Sequence, residues 1–118
     1  MIEKYIWEKR ILVVLGNKDI KSQQKIILDK VKEGILDRDL IVFGLKNKQE
    51  PYFRIEKEQV KKIVEKYSLN ADDNVILIGK DGTIKRKWEY PGSARELFEL
   101  IDSMPMRKSE IRQRKGEK

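Results

Sequence analysis

The sequence contains no cysteine and no histidine. The first absence removes any thiol nucleophile, disulfide or thiolate metal site, and the second removes the imidazole ligand and the imidazole general base. Together they exclude a Ser-His-Asp triad and an ordinary zinc centre. Long apolar runs are missing too. Residues 11–15 form a run of five, far short of the roughly 20 needed to span a bilayer. Residues 1–7 lack the continuous apolar core of a secretory signal. The chain therefore reads as soluble. Its lack of cysteine fits a reducing or an oxidising compartment equally.

Charge and compact apolar segments are abundant. Charged residues make up 40% of the 118 positions and hydrophobic ones 39%, the latter in dense runs, which describes a folded domain under a heavily charged surface rather than disorder. The length suits a single core, read here as a domain over residues 1–105 with a basic tail over residues 106–118. Net charge is +7, and residues 105–118 supply six cations against two acids. Such an excess favours polyanionic partners. The simpler reading of the tail is a solvated, frayed terminus.

Taken in order, residues 11–15 (ILVVL) read as a strand buried on both faces, stopped by Gly16 and Asn17. A helix follows, capped by Asn17 or Asp19, with Ile20, Ile27, Val31 and Ile35 near helical spacing and Gln23, Gln24, Lys25 and Lys30 on its polar side. It is expected to end near Gly34. Residues 40–45 (LIVFGL) are a second buried strand, so the opening is a right-handed βαβ unit with parallel strands. A polar loop over residues 46–51 leads to a helix over about residues 56–67, with Val60, Ile63, Val64 and Tyr67 on one stripe. Residues 75–78 are the third apolar strand. Asp81-Gly82 signals a type I′ hairpin turn with positive φ at both positions. The return strand, residues 83–88, places Ile84, Arg86 and Trp88 on one face and Lys85 and Lys87 on the other, lysines that suit a sheet edge. Ser93 and Glu96 form a capping box for a last helix bearing Ala94, Leu97, Phe98, Ile101 and Met104, which Pro105 ends.

This order predicts a four-stranded mixed α/β sheet, with the first and third helices on one face and the second on the other. The ordered set YIWEKRILVVLG, LDRDLIVFGL, LIGKDGTIK and IDSMPMRKSE resembles an uncharacterised thioredoxin-like domain. That domain occurs alone in bacterial proteins, and related copies occur in vertebrate coiled-coil-domain-containing protein 80 and sushi-repeat-containing proteins. The resemblance spans about residues 5–112. It implies a thioredoxin-like fold and an extracytoplasmic setting, with no catalytic residues to transfer. Thioredoxins place Cys-x-x-Cys between the first strand and the first helix, where this chain has residues 16–22 (GNKDIKS). The proline that precedes their third strand is replaced by Asp72, Asp73 and Asn74.

Two surfaces stand out as candidates for binding. Asn17, Lys18 and Asp19 lie at a helix start beyond the carboxyl end of a parallel strand, a generic place for anions and ligands, although capping alone explains Asn17 and Asp19. Met106, Arg107 and Lys108 follow the Met104-Pro105 turn as a partner-binding lip, unless Met106 folds back onto the core. The segment Gly79-Lys80-Asp81-Gly82 fails the P-loop pattern and reads as a turn. Asp72, Asp73 and Asp81 lack calcium-loop spacing, and no metal or cofactor is expected. The leading reading is a non-catalytic binding or interaction domain with an unidentified protein or polyanionic partner. Glycosaminoglycan or nucleic-acid binding is the alternative, with nucleic acid disfavoured because the tail has no aromatics for stacking. A cofactor-independent enzyme is the third reading, for which spacing nominates no acid pair.

Overall fold

The computed structural model describes residues 2–45 and 50–116. The expected loop over residues 46–51 thus lies mostly outside the described residues, as does the extreme end of the basic tail. After a short 3-10 turn at Ile2–Tyr5, the elements are β1 (Arg10–Val14), α1 (Lys18–Asp29), α2 (Lys32–Asp37), β2 (Leu40–Phe43), β3 (Tyr52–Phe53), α3 (Lys57–Tyr67), β4 (Val75–Ile78), β5 (Ile84–Trp88), α4 (Ala94–Asp102) and α5 (Pro105–Gly116).

The sheet has five strands in the order β3-β2-β1-β4-β5. β1 runs parallel to β2, with Ile11 beside Ile41, and antiparallel to β4, with Leu12 beside Leu77. The strand absent from the four-stranded expectation is β3, two residues that pair in parallel with β2 after a cis Glu50–Pro51 peptide. Two residues following a polar loop and a proline carry too little alternation to be recognised as a strand.

Every residue of β1, β2 and β4 is buried, so their alternating side chains fill two cores. Leu12, Val14, Val42 and Leu77 pack with Leu28 of α1, Ile35 of α2 and Leu97 and Ile101 of α4. Ile11, Val13, Ile41, Phe43 and Ile76 pack with Ile63 of α3 on the opposite face. The expected division of helices between the two faces therefore holds. Sandwiching three strands leaves no face for polar residues, which is why these segments read as unbroken apolar runs.

Local geometry departs from expectation in several places. The first helix is two helices: Val31 leaves helical dihedrals (φ −133°, ψ 30°), and α2 restarts to aim Ile35 into the core. Gly34 then lies against α4, where a Cβ would fall 2.7 Å from Phe98 Cε2. Gln24 belongs to the interior. Its amide accepts from the Gly92 N–H (2.9 Å) and donates to the Gly92 carbonyl (3.0 Å), pinning the β5–α4 turn to α1. At the hairpin only Gly82 has positive φ (83°). Asp81 instead accepts from the Thr83 N–H and hydroxyl, so the turn is not type I′. A bulge at Leu77/Ile78 skips Lys85 in the pairing, Leu77 opposing Arg86 and Ile78 opposing Ile84. A one-residue slip exchanges the two sheet faces. Ile84 therefore packs on the α3 side and Trp88 on the α1/α4 side, not on one face as the alternation predicted. Ser93 caps α4 by accepting from the Glu96 N–H, but the Glu96 carboxylate is directed to Trp88 Nε1 (3.1 Å) and Arg86 (2.6 Å).

The β2 strand ends at Gly44, whose φ of 106° is open to glycine alone at low cost, and a Cβ there would collide with the Val14 carbonyl oxygen. Gly44→Ala is expected to destabilise the fold by more than about 2 kcal/mol. The denaturant midpoint of the variant against the parent checks this.

Candidate functional site

The sheet has two working ends. At the carboxyl end of β1, Asn17 Oδ1 accepts from the Ile20 N–H (3.0 Å) and caps α1. Lys18, Lys21, Ser22 and Lys25 of α1 face Gly44 and Leu45 across a shallow cleft of about 450 Å³. Lys25 is engaged with Asp29 (2.8 Å), which also accepts from the Tyr52 hydroxyl (2.8 Å). Burial opposes ionisation of Asp29, but hydrogen bonds from Lys25 and Tyr52 outweigh it and hold the carboxyl below its ordinary range. Burial and the same Asp29 carboxylate push the Tyr52 hydroxyl up. Lys18 and Lys21 form no ion pair among the described residues. Asp19 is exposed on the first turn.

At the opposite end, cations that sequence reasoning did not single out are buried. Arg10, at the start of β1, is 1% exposed and Lys80 is 8% exposed. Both grip Glu110 of α5: Arg10 Nη1 and Nη2 reach its two oxygens at 3.3 and 3.2 Å, and Lys80 Nζ lies 2.8 Å from Oε2. Lys80 also pairs with Asp39 (2.9 Å), and Arg10 donates to the Arg38 carbonyl (2.8 Å). Arg10 Nε has no acceptor among the described residues.

The lip expected at Met106, Arg107 and Lys108 is divided by the helix it sits on. Residues 105–116 are α5 rather than a frayed tail. Pro105 does end α4, and it also occupies the first position of α5, where a missing N–H costs nothing. Arg107 is turned inward, 3% exposed. Its guanidinium meets Asp37 (2.7 Å) and Asp102 (3.2 Å), and Asp102 is shared with Arg38 (2.9 Å). Arg107 thus anchors α5 and cannot contribute to an exposed lip. Met106, 38% exposed, and Lys108 stay outside. The partial exposure of Met106 also differs from the alternative in which it folds back onto the core.

Between these elements lies a cavity of about 490 Å³, bounded by Trp7, Arg10, Lys80, Lys85, Met104 and Met106. Of the three aspartates considered as calcium ligands, Asp72 is exposed in a turn and the other two serve loops. Asp73 accepts from the Asn70 N–H and pairs with Lys87. Asp81 is held down to about 2 by the Thr83 N–H, with Lys85 adding to the effect. Among the described residues, no three acidic side chains gather as a metal site would require, and no helix is long and apolar enough to cross a membrane.

Comparison with known proteins agrees with this architecture. Residues 1–110 match the family model described as Domain of unknown function (DUF4174), and the chain belongs to that family. No curated protein sequence matches it. Among solved structures it is similar to a reduced 2-Cys peroxiredoxin of Plasmodium vivax, with a TM-score of 0.63 and 17% identity over 92% of this chain and 84% of that one. The thioredoxin domain of a Bacteroides vulgatus thiol-disulfide oxidoreductase aligns with a TM-score of 0.54 and 17% identity, covering 86% and 81%. The fold is thioredoxin-like. Without cysteine, the thiol redox chemistry named for these neighbours has no nucleophile here.

Glu110 titration tests the grip on α5. Burial raises the pKa of its carboxyl, but hydrogen bonds from Arg10 and Lys80 outweigh this and leave it below the ordinary range. A depressed folded-state pKa contributes stability that is fully present above the unfolded value of 4.5 and lost as pH falls through the lower folded value. Glu110→Gln is expected to lose about 1–3 kcal/mol at neutral pH and to show a flatter acid limb. Denaturation followed from pH 7 to pH 2 checks both.

Proposed function

We propose that this domain is a non-catalytic thioredoxin-like binding module. The reading rests on one observation: where the fold places its thiol pair, Asn17 is committed to capping α1 and no thiol stands in the segment. Among the described residues lining the cleft, the polar side chains are the ammonium groups of Lys18, Lys21 and Lys25 and the Ser22 hydroxyl, while the neighbouring Asp29 carboxylate is occupied by Lys25 and Tyr52. Such a set can attract and hold a ligand, but it lacks a group to receive a proton near neutral pH. Purified protein is expected to give no turnover above background in dithiothreitol-driven insulin reduction or peroxide consumption. Reproducible turnover in either assay would retire the reading.

A second reading, polyanion binding, is favoured by Lys18 and Lys21 on the rim of the α1 cleft, which form no ion pair among the described residues. The basic terminus is a weaker candidate than its charge suggested, since Arg107 is consumed by Asp37 and Asp102. Among the described residues no aromatic side chain lines the cleft, so a sulfated polysaccharide fits better than a single-stranded nucleic acid, which needs stacking surfaces. The double variant Lys18→Glu/Lys21→Glu is expected to bind heparin at least about tenfold more weakly, and parent affinity is expected to fall steeply with salt. Heparin binding unchanged by the double variant, or insensitive to salt, would remove this reading.

A further inference from the structure

We propose that the cavity beneath Trp7 binds a small amphipathic carboxylate, an apolar body carrying one acidic head. This deepens the binding-module reading and rests on it, but at the end of the sheet opposite the Asn17 cap. The cavity lies where the segment before β1, the β4–β5 turn and the α4–α5 turn converge. Its volume of about 490 Å³ falls within the range that accommodates small organic ligands.

The upper wall is unusual for a surface that only meets water. Trp7 is 64% exposed yet held at a φ of 74°, a conformation that bulky residues rarely adopt. Its N–H is tied to the Lys80 carbonyl at 2.6 Å, which fixes the indole's backbone to the turn forming the floor. Holding a non-glycine residue there is costly, and an indole left mostly in water recovers little of that cost through burial. Opposite stand Met104, Pro105 and Met106. Methionine packs adaptably and favourably against aromatic rings, so this wall and the indole suit a flat or branched apolar body.

The floor defines the head group. Arg10 and Lys80 already hold one carboxylate, that of Glu110, in a paired geometry, and donor capacity remains. Arg10 Nε is a buried N–H with no acceptor among the described residues; it is closed to the cavity's open space and contributes only positive potential behind the floor. An ammonium has three N–H donors, and among the described residues Lys80 directs two of its own, to Asp39 and Glu110. Lys85 adds a cation at the rim, balanced by Asp81 (3.0 Å). One monoanionic head can take the third Lys80 N–H, with the Lys85 ammonium beside it at the rim. A dianion such as phosphate meets Glu110 and Asp81 at close range and is disfavoured.

The test uses the intact chain with 1-naphthylacetate as probe and 2-(1-naphthyl)ethanol as its uncharged counterpart, read by calorimetry and by amide NMR shifts. Saturable one-to-one binding of the acid is expected, with shifts concentrated at residues 7, 79–81 and 104–106. The alcohol is expected to bind at least about tenfold more weakly, the loss of a charged hydrogen bond. Trp7→Ala and Met106→Glu, both at exposed positions, are each expected to weaken the acid at least about tenfold, whereas Lys61→Glu, exposed on α3, leaves it unchanged. Absence of saturation into the millimolar range, equal binding of the alcohol, shifts located elsewhere, or full affinity in a folded Trp7→Ala protein each overturns the proposal. A failure here leaves the module reading intact, since thiol and peroxide turnover decide that separately; turnover alongside binding retires the module and keeps the site.

Discussion

β1 has no side that faces water, and the rest of the molecule follows from that constraint. Its residues pair with β2 on one flank and β4 on the other, while their side chains enter two separate cores. Burial on both faces requires helices above and below, which α1, α2 and α4 supply on one side and α3 on the other. It also brings Arg10, the first residue of the strand, out of water. A buried guanidinium is costly unless paired and hydrogen-bonded. Here the required anion comes from Glu110, a hundred residues along the chain.

That pairing explains why the last helix is where it is. α5 has few apolar residues, and among its described side chains the buried one is Arg107 rather than a leucine or phenylalanine. Its docking is therefore electrostatic: Glu110 reaches down to Arg10 and Lys80, and Arg107 reaches across to Asp37 and Asp102. Opposite charges at adjacent positions fix where the helix lies, since a shift along its axis would leave several buried charges unmatched. Replacing such pairs with apolar residues could match their stability, but it would remove this discrimination of position.

What the sequence made legible is what depends on local pattern. The three apolar strands, the α3 stripe, the Ser93 cap and the stop at Pro105 all rest on spacing within one turn or one strand, and all are present. The failures required knowledge of a distant partner. Gln24 looks polar until Gly92 is placed beside it. The side-chain alternation of β5 holds until the bulge opposite Lys85 reverses it. Arg107, within a basic run, gives no local sign that Asp37 and Asp102 will enclose it. Trp7 and Met106 lie 99 positions apart, so no pattern in the chain places them on one cavity.

The same distinction separates scaffold from chemistry. Apolar alternation and strand order specify a thioredoxin-like sheet whatever stands at the start of α1, because Asn17 satisfies a helix terminus as well as other capping residues do. Loss of the thiol therefore need not disturb the fold, and the carboxyl end of β1 is left with a basic but shallow surface. At the other end, the buried Arg10 and Lys80 had to be reached by a carboxylate, and the helix that delivers it also brings Met104 and Met106 opposite Trp7. The fold's usual reaction site and the Trp7 cavity are thus at opposite ends of one strand, and the second arises from the charge that β1 takes into the core.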